Sequence, residues 1–154
     1  MTLEYLAREF RFSASADGIA WTEVGGITSW SWTEEGTDVD VTDFDDEGWD
    51  HTMVARRKAV LSLEGNWLVD EATGDRDDGQ ILVEQYARKV GQAGLFHFKV
   101  ETRAETGSPP APLGSITFQC SAKLGETGGG NDDKMPWAVE LLVKGKPTFT
   151  GCFA

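Results

Sequence analysis

Residues 58–67 read KAVLSLEGNW, and their apolar side chains fall on alternate positions: Ala59, Leu61, Leu63 and Trp67 against Val60, Ser62 and Glu64. A period of two is the signature of a strand with one buried face, because successive side chains point to opposite sides of the pleat. The same alternation recurs on both sides of this segment. ITSWSW sets Trp30 and Trp32 against Ser29 and Ser31, and TDVDVT sets Val39 and Val41 against Asp38 and Asp40. Downstream, LFHFKVE sets Phe96, Phe98 and Val100 against His97, Lys99 and Glu101. SITFQCSAKL does so with Ile116, Phe118, Cys120 and Ala122, and WAVELLVKG with Trp137, Val139, Leu141 and Val143. The chain is predicted to be mainly β.

One segment departs from that period. In DDGQILVEQYARKVGQ, Asp77 followed three residues later by Gln80 has the form of a capping box, Arg88 and Lys89 suit a helix C-terminus, and Gly91 supplies a stop. Val83, Ala87 and Val90, with Leu82 and Tyr86, form its apolar face, so a helix of about 12 residues should cover one side of a sheet. The predicted architecture is an antiparallel sandwich or half-open barrel of about seven or eight strands with one packed helix. A length of 154 residues suits a single domain over 1–154. Within it, a long acidic loop is expected at about 36–57 and a Gly-rich hairpin loop at about 125–134. GETGGGNDDK in the latter is not a phosphate loop, since no Lys-Ser or Lys-Thr follows and no helix opens after it.

Composition narrows the functional classes. The formal net charge is −12, with 26 Asp and Glu against 14 Lys and Arg. Hydrophobic residues nevertheless make up 40% of the chain and Trp occurs six times, so the acid excess belongs to a folding sequence and not to a disordered one. Such a surface repels nucleic-acid phosphates, which are bound by Lys and Arg. Cys120 and Cys152 form no CxxC motif and are expected as free thiols. No apolar run approaches the roughly 20 residues that span a bilayer, and MTLEYLAREF has no signal-peptide pattern.

The densest acid lies at residues 39–50, VDVTDFDDEGWD. Asp43, Asp45, Glu47 and Gly48 fit the first positions of an EF-hand loop, but Val54 stands where the bidentate Glu is required, and the flanks read as strands. No metal or cofactor is expected. Catalysis has little to build on: His51 and His97 are the only histidines, neither lies in a metal-binding spacing, and no nucleophile elbow is present. Among non-enzymatic alternatives, Trp21, Trp30, Trp32 and Trp49 would suit a carbohydrate-binding β-sandwich, but aromatics ringed by charge fit a protein interface equally well.

Four stretches, in order, carry a likeness to a known family: DGIAWTEVGGITSWSW at 17–32, VDVTDFDDEGWDHTMVARRKAVLSLEGNWLVD at 39–70, DRDDGQILVEQYARKVG at 75–91, and FQCSAKLGETGGGNDDKMPWAVELLVKGKPTF at 118–149. Together they resemble the major tail tube proteins of long-tailed phages with non-contractile tails, with the tubes of contractile tails and secretion-like particles as near neighbours. The resemblance implies a structural subunit, not an enzyme. It would form hexameric rings stacked into a virion tail tube, assembled in the host cytoplasm, around a lumen through which DNA passes at ejection. Its implied partners are other copies of itself and tail proteins such as the tape measure and the tail terminator, with no membrane. On that reading Trp30, Trp32, Phe44, Trp49, Arg56 and Arg57 are candidate inter-subunit contacts. Glu4, Asp38, Asp40, Glu64 and Glu140 are candidate lumen-facing acids, expected to give a negative wall along which DNA would slide without adhesion.

Overall fold

Alternation is realised as one curled antiparallel sheet. The computed structural model describes residue 6 and residues 9–130 and 134–154. The chain runs β1 (Phe10–Ser15), β2 (Thr22–Val24), β3 (Ile27–Asp40), β4 (Thr52–Asn66), α1 (Asp78–Ala87), β5 (Phe96–Thr102), β6 (Glu105–Thr106), β7 (Ala111–Pro112), β8 (Gly114–Leu124) and β9 (Pro136–Gly151). Seven strands form a sheet in the order β2-β1-β5-β8-β9-β4-β3, and β6 and β7 make a separate small ribbon.

Cross-strand register puts the apolar sets of β4, β5, β8 and β9 on one face, whereas Val39 and Val41, also read as an apolar set, are exposed. Leu63 lies opposite Val139, Leu61 opposite Leu141, Phe98 opposite Phe118 and Val100 opposite Ile116, and all eight are buried. Cys120 is buried among them, and loss of solvent pushes its thiol pKa up, so it behaves as a small hydrophobe. Cys152 is exposed and, like Cys120, unbridged.

The sheet curls far enough for the edge strand β3 to pack on β1 and β8. Although β3 and β1 lie far apart in strand order, the Trp30 ring sits 5.2 Å from Phe10 and 5.7 Å from Phe12, and Trp32 sits 5.4 Å from Phe118. Only two residues, Gly25 and Gly26, join β2 at one edge to β3 at the other, which is possible only if the sheet has rolled into a half-barrel. Gly26 holds φ at +78°, and a Cβ there would meet the Asn66 carbonyl at 2.6 Å, so the closure requires glycine.

Helix α1 closes the open side. Asp77 caps it by accepting from Gln80 N at 3.0 Å, but the Gln80 side chain does not complete a capping box. It is fully buried and donates instead to the carbonyls of Gly25 and Asn66, at 3.0 and 2.9 Å, tying the helix to the barrel seam. The helix is shorter than expected. It ends at Ala87, and Val90, predicted on its apolar face, lies beyond it and is 90% exposed, while Gly79, Gln80, Val83 and Glu84 form the buried face. The apolar period of the sequence runs about one turn past the end of the helix. Gly79 is the closest contact with β2: a Cβ there would stand 2.3 Å from the Glu23 carbonyl oxygen. Alanine ordinarily improves a helix by about 1 kcal/mol over glycine. Gly79→Ala is expected to lower unfolding free energy by about 2 kcal/mol instead, because overpacking outweighs propensity; urea denaturation checks it.

Half of the expected loop at 36–57 is strand. β3 and β4 remain paired as far as Asp40 opposite Thr52, so the connection proper is residues 41–51. The Gly-rich segment links β8 to β9, with residues 125–130 outside any strand.

Candidate assembly interface

A projecting ribbon and its acidic tip are the feature of this fold that its own core does not use. Pairing between β4 and β9 stops at Val60 opposite Leu142. Beyond that point β3 and β4 pair only with each other, from Glu34 opposite Ala59 out to Asp40 opposite Thr52. At about 3.3 Å per residue this shaft extends the hairpin about 20 Å from the core. A two-stranded ribbon alone is only marginally stable in water, and this one also exposes apolar surface. Phe44 is fully exposed, Trp49 is 79% exposed, and Val39, Met53 and Val54 are all exposed as well. Clustered exposed apolar side chains rimmed by charge mark contact surfaces.

The tip is held in a defined shape. The Asp40 carboxylate accepts from the Thr42 hydroxyl and amide, which holds its pKa below the usual carboxylate range. Thr42 Oγ1 in turn accepts from His51 N at 2.7 Å, and Val41 N donates to His51 O at 2.8 Å, closing the base of the connection. Asp43 Oδ1 accepts from Asp45 N at 2.9 Å at the start of a 3-10 turn, Phe44–Asp46. Glu47 and Gly48 then reverse the chain with φ of +52° and +85°. Of the carboxylates that suggest a cation loop, that of Asp43 bonds within the turn, and both aromatics are left in solvent.

The other candidate residues divide. Trp30 and Trp32 lie half-buried against Phe10, Phe12, Phe118 and Phe149, so most of their surface is spent inside the chain. Arg56 and Arg57 are exposed on the shaft opposite Thr37 and Gly36. Glu64 and Glu140 stand exposed on the solvent face of neighbouring strands, opposite Ala138 and Ser62 respectively. Asp38 and Asp40 occupy the alternate positions of β3, in step with Trp30 and Trp32, and so belong to the other face. Glu4 lies outside the described residues. The solvent face itself is mixed in charge: Lys123 lies opposite Glu140, and Lys58 pairs with Glu35 at 3.0 Å.

Two features were not visible in the sequence. One is a partly buried ion pair in which Arg76 grips Glu84 through both oxygens, at 2.6 and 3.0 Å, while Trp137 Nε1 donates to the same carboxylate at 3.1 Å. Eight residues of separation across a helix start carry no recognisable signal. The other is the divergence of β4 from β9. Strand β9 bulges at residues 145–147 to stay paired with β8, while β4 runs straight on into the hairpin. Lys99 stacks over Trp21 at 4.5 Å and Trp49 lies at the hairpin tip, so the four Trp proposed as a sugar platform do not share a surface.

No protein-family model matches the chain, and no curated protein sequence matches it significantly. Solved structures do match in fold across nearly its full length. A chain from the tail of an empty gene transfer agent particle, refined with helical C6 symmetry, has 14% identity and a TM-score of 0.63, covering 96% of this chain and 100% of its own. A chain in the six-fold symmetrised baseplate of the anti-feeding prophage has 11% identity and a TM-score of 0.61, covering 98% of both chains. One from the sheath-tube complex of an extracellular contractile injection system in its extended state has 11% identity and a TM-score of 0.60, covering 96% of this chain and 92% of its own. This chain shares the mainly β fold of these phage-like tail components.

Proposed function

We propose that this chain is the repeating subunit of a tail tube. Six copies form a ring, rings stack into a virion tail in the host cytoplasm, and DNA passes along the lumen at ejection. The observation that carries this reading is the projecting hairpin: Phe44 and Trp49 stand in water on a surface that contact with another copy would cover. Symmetry supports it, because chains of the same fold come from assemblies of C6 or six-fold symmetry. Closed rings also resolve the exposed edge of β3, which would otherwise template uncontrolled pairing.

The solvent face of the sheet, with Glu64 and Glu140, lines the lumen on this reading. Ser29, Ser31, Ser62, Thr117 and Gln119 share that face, and Lys58 and Lys123 stand among its acids. DNA would then meet not the negative wall expected from the acid excess but a hydroxyl-rich wall of low net charge, which neither binds phosphate nor strongly repels it. The subunit acts as structure and not as an enzyme, alongside tail partners such as a tape measure and a terminator.

On the sequence resemblance alone, we propose that the tail is non-contractile. The fold match to a sheath-tube complex favours a contractile tube as the second reading. Electron microscopy of the concentrated protein tests the proposal. Hollow tubes with six-fold end views, and Glu64 and Glu140 facing the axis in a reconstruction, are the expected result. A persistent monomer that binds glycans would overturn it. A sheath protein that polymerises on the tubes would favour the contractile reading.

A further inference from the structure

Where β4 and β9 part, their divergence opens a cleft of about 550 Å³ at the base of the shaft. Ala59, Pro147 and Phe149 give it an apolar floor, and Arg57, Lys58 and Lys146 give it a basic rim. Glu34 also borders it, with its carboxylate already accepting from Trp32 Nε1 at 3.0 Å. Lys58 is partly neutralised by Glu35. Arg57 and Lys146 make no ion pair with the described residues, and both are exposed. From residue 59 outward the edge of β4 that faces away from β3 has no strand partner, so its backbone donors and acceptors are open as well.

We propose that this cleft receives the hairpin tip of a second copy of the chain, with Trp49 seated on Pro147 and Phe149 and the tip acids meeting Arg57 and Lys146. This rests on the tube reading and specifies its joint. The two surfaces complement each other in kind. The tip carries exposed aromatics among Asp43, Asp45, Glu47 and Asp50, and the cleft offers an apolar floor within a cationic rim. A chain cannot fill its own cleft, because the paired shaft holds its tip about 20 Å away. The contact is therefore heterologous, tip of one copy to cleft of the next, and such contacts propagate into rings or filaments.

Charge reversal tests the joint. Arg57→Glu with Lys146→Glu should raise the critical concentration for tube formation on the order of thirtyfold, as should Asp45→Lys with Asp50→Lys. Thermal unfolding of the monomers should stay unchanged, since all four positions are exposed. All four changes in one chain should restore assembly, because each reversed tip then meets a reversed cleft. In a Cys152→Ser background, Asp50→Cys with Lys146→Cys should give disulfide-linked ladders only in assembled material. Tubes from the wild type together with full assembly by both double variants would overturn this joint and leave the tube reading standing. Failure of the wild type to form rings or tubes at any concentration would overturn both. Normal tubes from Arg57→Glu/Lys146→Glu with lost binding of a short DNA duplex would reassign the cleft to nucleic acid.

Discussion

Trp49→Ala is expected to leave the subunit folded and, on the tail-tube reading, to raise sharply the concentration needed for tube growth. In the free chain the Trp49 side chain is 79% exposed, and the bonds that shape its turn run through Asp40, Thr42, Asp43 and His51, not through the indole. Truncating an exposed side chain away from any packed feature changes stability by about 0.5 kcal/mol or less. The melting temperature of the monomer should therefore stay within about 2 °C of wild type. In the proposed assembly the same ring would become a buried anchor. An aromatic of this size removes about 150–250 Å² from water, and Trp at the centre of an interface commonly accounts for 2 kcal/mol or more. The concentration at which tubes appear should rise about thirtyfold, with Phe44→Ala acting in the same direction. Sedimentation and electron microscopy at matched concentrations read the effect. Normal-length tubes at the wild-type threshold would refute the anchor role, and a melting temperature lowered by more than about 4 °C would make Trp49 a folding residue instead.

Glu84→Gln is expected to cause a large loss of stability in the subunit itself. The Glu84 side chain is 5% exposed and that of Arg76 20%, and they share two hydrogen bonds. Arg76 also lies flat on Trp67, its guanidinium carbon 3.6 Å from the ring centroid. Burial alone would raise the Glu84 pKa, but the hydrogen bonds and charge of Arg76, with the Trp137 indole N–H, outweigh it and hold the carboxyl below its ordinary value. Glutamine keeps an acceptor for Trp137 and removes the charge, leaving Arg76 largely buried beside a neutral amide. Breaking a buried pair from one side costs about 3 kcal/mol, or roughly 6–12 °C in a chain of this size. Arg76→Met combined with Glu84→Gln should cost less than the two changes summed, because neither then strands a charge.

The pH dependence has a definite sign. Because the folded pKa of Glu84 is depressed, its ionised form contributes stability that is fully present above the ordinary glutamate pKa and is lost as pH falls through that value toward the folded one. Urea midpoints of wild type and Glu84→Gln should thus differ most at neutral pH and converge below about pH 4. A gap that stays constant with pH would mean that the substitution acts through packing alone.

Much of the half-barrel was legible because period two is a local property. Leu61, Leu63, Phe96, Phe98, Val100, Ile116, Phe118, Trp137, Val139 and Leu141 announce their common face through nearest neighbours, and all are buried. The Asp77 cap was legible for the same reason, being a bond between residues three apart. The end of α1 was not, because Val90 continues the apolar pattern after packing partners have run out. Nor was the length of the hairpin shaft. Acid density at 36–57 suggested a loop, whereas backbone pairing of β3 with β4 is indifferent to side-chain charge and continues to Asp40.

By itself, then, the sequence determined which residues turn inward on β4, β5, β8 and β9, where the helix begins, and that an acidic, aromatic segment stands between two strands. Those are matters of side-chain periodicity and short-range hydrogen bonding. Only the tertiary structure decided that Trp30 and Trp32 are spent on closing the barrel and that Asp38 and Asp40 face away from Glu64 and Glu140. It alone opened a cleft between β4 and β9, because cross-strand register and sheet curl are set by contacts between residues tens of positions apart, which no local pattern records.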